Sequence, residues 1–253
     1  MTAVRSLWFP RLARSEATRV RLVCFGGAGT GSTEFATWQA GLPSTVEVWA
    51  AQLPGRERRI REAPAASMAE LADPLAAELR LEDDGTPWAF FGHSFGALIA
   101  YEVARRLAGQ VALAGVVAAS SVVPHLQATR LPVTSDDDET LLAWAAAANG
   151  TEAGLLSDAR FARWLAEDLR VTLRIRREYP STAPEPLPCP VLAIGGAGDA
   201  DATATDLAQW QQYTAVGLDQ LELGQGHFFL RDDRTSLLTA LSSHLANWTL
   251  GST

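Results

Sequence analysis

Residues Trp88-Ala-Phe-Phe-Gly-His-Ser-Phe-Gly-Ala-Leu-Ile-Ala-Tyr-Glu-Val-Ala-Arg-Arg-Leu107 decide the fold. Trp88 to Phe91 reads as a short apolar strand, and from Phe95 to Leu107 apolar residues recur at helical spacing. Between them lies Gly92-His-Ser-Phe-Gly96, a G-x-S-x-G pentapeptide. Such a pattern is not rare by chance, so its setting matters. A strand before it and a helix after it are what the sharp turn of a nucleophile elbow requires. The glycines have a steric reason, because a Cβ at position 92 or 96 would collide with the neighbouring strand or helix. Ser94 at the apex is then forced out of the sheet, with the helix N-terminus beneath it.

Working outward, similar short runs alternate with helical patterns. The predicted strands are Val20 to Phe25, Val46 to Ala50, Trp88 to Phe91, Val116 to Ala119, Val191 to Ile194 and Leu218 to Leu223. The predicted helices are about Met68 to Leu81, Phe95 to Leu107, Thr203 to Tyr213 and Asp233 to Trp248. Strands alternating with helices predict an α/β fold, a mostly parallel sheet with helices on both faces. One stretch, about 124–180, breaks the alternation with two helices and no strand. The first should start at Ser135, a hydroxyl cap followed by Asp136, Asp137, Asp138 and Glu139 at the positive end of the dipole, and should stop at Asn149-Gly150. The second should run from about Ser157 to Tyr179. We read this stretch as a helical lid inserted into one domain that spans 1–253.

A serine hydroxyl needs a base to become a nucleophile. Of the four histidines, His93 sits inside the elbow and should point away from its apex, His125 begins the insertion, and His244 falls in the last helix. His227 lies in Gly224-Gln-Gly-His-Phe-Phe-Leu230, at the carboxyl edge of the last strand, where an open α/β sheet places its sites. The base needs an orienting carboxylate. Asp199, in Gly195-Gly-Ala-Gly-Asp-Ala-Asp201, comes first after the glycines at another carboxyl strand end, with Asp201 as the alternative. Ser94, Asp199, His227 is the chain order of an α/β-hydrolase triad. One oxyanion donor should be the backbone N–H of Phe95. The other should come from the loop Gly26-Gly-Ala-Gly-Thr-Gly31, whose glycines allow close backbone approach. That loop is not a dinucleotide fingerprint, because the third glycine would fall on Ser32. The acidic tract after Gly198 lacks the glycine and closing glutamate of a calcium loop.

Composition narrows the reading. The chain has 253 residues, enough for one sizeable core, and carries 21 basic against 29 acidic residues, a net charge of -8. That sign is wrong for a general nucleic-acid binder. Every basic residue is arginine, so P-loop and Schiff-base lysines are excluded. Two cysteines, Cys24 and Cys189, support neither a disulfide framework nor a thiolate metal site. No apolar run is long enough to span a membrane, and Met1 to Pro10 lacks a signal-peptide core, so a cytoplasmic location is expected.

Further segments carry a family resemblance over nearly the whole chain: Trp8-Phe-Pro-Arg11, Leu22-Val-Cys-Phe-Gly26, Leu53-Pro-Gly-Arg56, Phe91-Gly-His-Ser-Phe-Gly-Ala97, Gly195-Gly-Ala-Gly-Asp199, Trp210 and Gly226-His-Phe-Phe-Leu230. With these the sequence resembles the type II thioesterases, free-standing editing hydrolases that accompany modular polyketide and nonribosomal peptide synthases. The resemblance implies a nucleophile at Ser94, an acid at Asp199 and a base at His227, with Ala28 at the second oxyanion donor position. The family's loop usually reads Pro-His-Ala-Gly-Gly, and here Gly26-Gly27 replaces Pro-His. It also implies a substrate, an acyl group on the phosphopantetheine arm of an acyl or peptidyl carrier protein, and no cofactor or metal of the enzyme's own. Phe161, Trp164 and Leu165 of the lid are candidates to line an acyl chamber, or simply to pack the lid onto the sheet. Two clusters, Arg56, Arg58, Arg59 and Arg61, and Arg170, Arg174, Arg176 and Arg177, are candidates to dock an acidic carrier. A small-molecule carboxylesterase or lipase-like hydrolase of the same fold is the alternative, since a triad alone does not separate O-esters from thioesters. A non-catalytic protein on the hydrolase scaffold is disfavoured by the intact Ser, Asp and His.

Overall fold

Six strands, β1 (Val20–Phe25), β2 (Val46–Ala50), β3 (Trp88–His93), β4 (Leu113–Ala119), β5 (Val191–Ala197) and β6 (Leu218–Gln225), form one sheet in the order β2-β1-β3-β4-β5-β6. Every neighbouring pair is parallel. The structure is a computed structural model and describes residues 6–10, 17–148 and 153–250. The helices are α1 (Trp38–Gly41), α2 (Met68–Leu81), α3 (Phe95–Leu107), α4 (Asp138–Ala147), α5 (Ala153–Leu156), α6 (Ala159–Arg177), α7 (Ala204–Ala208), α8 (Phe229–Asp232) and α9 (Arg234–Leu250).

Strands β1 to β5 are dry on both faces because they alternate apolar side chains between them, while β6 at the edge is partly exposed. On β3, Trp88 and Phe90 enter the core shared with α2 and α3. Ala89 and Phe91 enter the other, shared with Trp38 of α1 and Leu237, Leu241 and Leu245 of α9. A third cluster, Leu141, Ala145, Leu165, Ala166, Leu169 and Leu173, joins α4 to α6. These helices lie between β4 and β5 in the chain, where the sequence breaks its alternation.

Strand order reverses between β1 and β3, since β2 lies to one side of β1 and β3 and β4 to the other. The loops leaving the carboxyl ends of β1 and β3 therefore diverge and open a crevice, the usual place for a site in such a sheet. Phe25 and Gly92 are register partners there, so the glycine loop and the elbow emerge side by side.

Several sequence expectations need correction. Strands β3, β5 and β6 each run two or three residues past their predicted ends, through Gly92-His93, Gly195 to Ala197 and Gly224-Gln225. Glycines read as turn signals there, but they are the residues that let neighbouring loops close in. Helix α4 is capped by Asp137, whose carboxylate accepts from the Thr140 amide, and Ser135 bonds to that same carboxylate instead of capping. Asp158 caps α6 in the same way. The expected stop at Asn149-Gly150 lies outside the described residues, as does Arg11. Only the first part of Thr203 to Tyr213 is α-helical, and the rest tightens to a 3-10 turn.

Candidate active site

The elbow is strained where the sequence says it should be. Ser94 sits at φ 53° and ψ -120°, a left-handed φ that a side chain rarely adopts. A Cβ on Gly92 would lie 2.2 Å from the Gly96 carbonyl oxygen, and one on Gly96 would lie 2.2 Å from that of Phe25. Only glycine fits between β1 and α3 at this distance. A second close approach brings the other two loops together: a Cβ on Gly196 would lie 2.0 Å from the Gly226 carbonyl oxygen, and the Gly226 amide donates to Ala197 at 2.9 Å.

These constraints place Ser94, Asp199 and His227 in one chain of hydrogen bonds. Ser94 Oγ is 2.9 Å from His227 Nε2, and His227 Nδ1 is 3.0 and 3.2 Å from the two Asp199 oxygens. With the carboxylate accepting from Nδ1–H, Nε2 is left bare toward the serine. Burial pushes the Asp199 carboxyl up, but the hydrogen bond and charge of His227, the nearby Ser120 hydroxyl and the Asp201 amide outweigh it. The net effect holds the group below the usual carboxylate range. Asp201, the alternative acid, instead accepts from the indole of Trp144 at 3.1 Å, tying the acid loop to α4.

The other histidines are engaged elsewhere. His125 bonds the Tyr213 hydroxyl at 2.8 Å, and His244 lies 3.5 Å from Asp219. His93 is fully enclosed, and its Nε2–H donates to the His227 carbonyl at 2.8 Å, so it props the histidine loop from below. Burial, with the nearby His227 ring, lowers its pKa to about 3 from an ordinary 6.5. The unfolded chain takes up this proton near 6.5 and the folded protein does not until near 3. Between those values the unfolded state holds more protons, so stability falls as pH falls, by up to about 1.4 kcal/mol per pH unit from this residue. His93→Gln, which keeps an amide donor, should flatten the dependence by about that slope in urea unfolding between pH 4 and pH 6. An unchanged slope would show that His93 does not carry it.

The glycine loop packs directly on the elbow. A Cβ on Gly27 would lie 3.1 Å from His93 Nδ1 and 3.3 Å from Ser94 Cβ, so the glycine found here allows an approach that a side chain would crowd. Ala28, Ser94 and Phe95 line one narrow cavity. A network that sequence reading missed holds this loop. Arg56 donates to the Gly27 and Thr30 carbonyls at 2.7 and 2.8 Å and to Asp168 of α6 at 2.7 and 3.0 Å. Asp168 also accepts from the Gly29 amide at 2.7 Å. A signal for it existed in Asp168, an acid on the apolar face of α6 beside Leu165 and Leu169.

This network removes half of the first arginine cluster from the candidate docking surface. Arg56 and Arg59 are buried, Arg59 pairing with Glu62 and stacking over Trp8, and only Arg58 and Arg61 are exposed. The second cluster is also broken up. Arg170 and Arg177 pair with Asp138 and Asp136, Arg176 turns toward Ser94's cavity, and Arg174 alone is fully exposed. The acyl-chamber assignment shifts as well. Leu165 lies against Gly29, Trp164 donates to the Gly55 carbonyl at 3.0 Å and packs at a tilt against Phe161, while Leu169 and Leu173, one and two turns on, reach the cavity with Leu141.

A strained serine at a strand–helix turn, hydrogen-bonded through histidine to aspartate at the carboxyl edge of a parallel sheet, defines an α/β-hydrolase with a serine-type site. Residues 20–248 match the model of the Thioesterase domain family, and the chain belongs to that family. It is 32% identical over 247 residues to Thioesterase PikA5 of Streptomyces venezuelae, covering 94% of this chain and 85% of that one. Among solved structures, the RedJ thioesterase from the prodiginine biosynthetic pathway in Streptomyces coelicolor is 37% identical with a TM-score of 0.80. The match covers 96% of this chain and 94% of RedJ. YbtT, a type II thioesterase from the yersiniabactin NRPS/PKS biosynthetic pathway, is 25% identical with a TM-score of 0.83, over 96% and 99% of the two chains. The protein is a hydrolase of acyl thioesters. No described helix is long and apolar enough to cross a membrane.

Proposed function

We propose that Ser94 is the nucleophile, His227 the general base and Asp199 the residue that orients the imidazole and stabilises its positive charge once it is protonated. In this reading Ser94 Oγ attacks the thioester carbonyl as His227 Nε2 takes its proton. The tetrahedral oxyanion rests on the amides of Ala28 and Phe95. The thiol leaves with the proton returned by His227; an ordinary thiol pKa of about 8.5 makes it a good leaving group. Water, deprotonated by the same imidazole, then clears the acyl-enzyme. The observation that carries the reading is the 2.9 Å contact from Ser94 Oγ to a histidine whose other nitrogen is held by a buried carboxylate.

The natural substrate in this proposal is an acyl group on the phosphopantetheine arm of an acyl or peptidyl carrier protein in a cytoplasmic synthase, cleared by editing or release. The relatives support it, since YbtT is a type II thioesterase of an NRPS/PKS pathway and RedJ is the thioesterase of the prodiginine biosynthetic pathway. The phosphopantetheine belongs to the substrate, and the chemistry needs no metal or resident cofactor. The stretch at about 124–180 serves as the lid of a single domain, with Trp144 of α4 6.3 Å from the His227 ring and Leu169 and Leu173 of α6 over the acyl cavity. The test compares one acyl group on a carrier arm with the same group as a soluble nitrophenyl ester. Carrier thioester turnover should exceed oxyester turnover by at least about tenfold in kcat/KM. Preference for the nitrophenyl ester would favour a small-molecule esterase.

A further inference from the structure

The space beside Ser94 has two branches. One is walled by Val133, Leu141, Leu169 and Leu173 and has an apolar lining. The other is lined by Ser121, Arg130, Trp144 and Asp201 together with Ser94 and His227. Arg176 of α6 borders both.

This arginine is unusual among the described cations. One terminal nitrogen donates to the Arg130 carbonyl at 2.8 Å, but its Nε is buried and has no hydrogen-bond partner among the described residues. A buried donor without an acceptor is costly, and its presence beside a nucleophile calls for a ligand atom to satisfy it. The neighbouring guanidinium of Arg130 is already paired with Asp206 at 2.9 Å. Burial lowers the Arg176 pKa to about 10, against the opposing charge of Asp201, so the group stays charged at neutral pH. Asp201 lines the branch and Asp199 stands behind His227, so a third carboxylate brought in by a substrate would be repelled. A keto or hydroxyl oxygen would accept from Nε–H without adding charge.

We infer that Arg176 determines specificity by donating its Nε–H to a neutral oxygen close to the thioester, so that the preferred substrates are oxygenated acyl groups, not plain alkyl ones. The inference rests on the reading of Ser94 as the nucleophile of a thioesterase, because both branches open at that hydroxyl.

The test uses N-acetylcysteamine thioesters of butanoyl, β-hydroxybutanoyl, acetoacetyl and malonyl groups, each rate divided by that of base-catalysed hydrolysis. The wild-type protein should favour the acetoacetyl and β-hydroxybutanoyl thioesters over butanoyl by about tenfold in kcat/KM. Arg176→Met should bring both down to the butanoyl level, with circular dichroism reporting that the variant is folded. If the methionine variant loses butanoyl turnover too, Arg176→Lys, which keeps the charge and has no Nε–H, should retain it and lose the preference. A wild-type protein without the preference, a folded variant that keeps it, or malonyl turnover above acetoacetyl would overturn the inference. Absence of turnover on every thioester would instead remove the thioesterase reading beneath it.

Discussion

Replacing Ser94 with alanine is expected to cut thioester turnover roughly a thousandfold or more, with KM and thermal stability little changed. The substitution removes one oxygen from a partly open cavity and no packing contact of consequence. Alanine also keeps the φ of 53° that the elbow imposes, so the turn need not move. His227→Ala should lower turnover to a similar floor, because an unassisted serine is almost as ineffective as no serine. The double variant should then be no worse than either single one, since residues that act as a unit are not additive. Steady-state kinetics on one acyl thioester, with circular dichroism to confirm folding, check both points. Multiplying losses in the double variant would mean that the two residues do not share a step.

The second large effect is expected at Asp168, far from the triad in sequence. Asp168→Ala strips the Arg56 guanidinium of its carboxylate inside the protein and should destabilise the fold by about 3–5 kcal/mol in urea unfolding. It also releases the Gly29 amide, and with it the loop that carries Ala28. Turnover per folded molecule should fall by about tenfold to a hundredfold, the scale of a small misplacement of a reacting group. Asp168→Asn keeps an acceptor for the Gly29 amide and should recover much of the rate but less of the stability. Equal rates in wild type and Asp168→Ala would show that the loop is held without the lid helix. In the proposed mechanism α6 both covers the acyl cavity and fixes the loop of Ala28, so a movement of the proposed lid would loosen the proposed oxyanion site at the same time.

The parts of this design that are local in sequence were legible there. Helices α2 and α3 end where the sequence places them, α2 because Ser67 caps an amphipathic run and α3 because the elbow forces its start. The convergence of Ser94, Asp199 and His227 was legible because each follows a strand, and carboxyl strand ends converge in a parallel sheet. Pairs that only folding creates were not legible. Arg56 and Asp168 are 112 residues apart, and nothing in the arginine cluster distinguishes an inward side chain from an outward one. The same limit explains Arg176, which helical position alone placed among surface cations. Leu165 was the right kind of residue on the right face of α6, but its position near the start of the helix puts it over Gly29, while Leu169 and Leu173 lie over the serine.

Everything catalytic in this account depends on a covalent bond forming at one oxygen. The direct measurement is mass spectrometry of the intact protein and its peptides after brief exposure to a fluorophosphonate. The expected result is a single adduct on the peptide containing Ser94, absent in Ser94→Ala and strongly slowed in His227→Ala. An adduct on another residue, or equal labelling of wild type and Ser94→Ala, would contradict it.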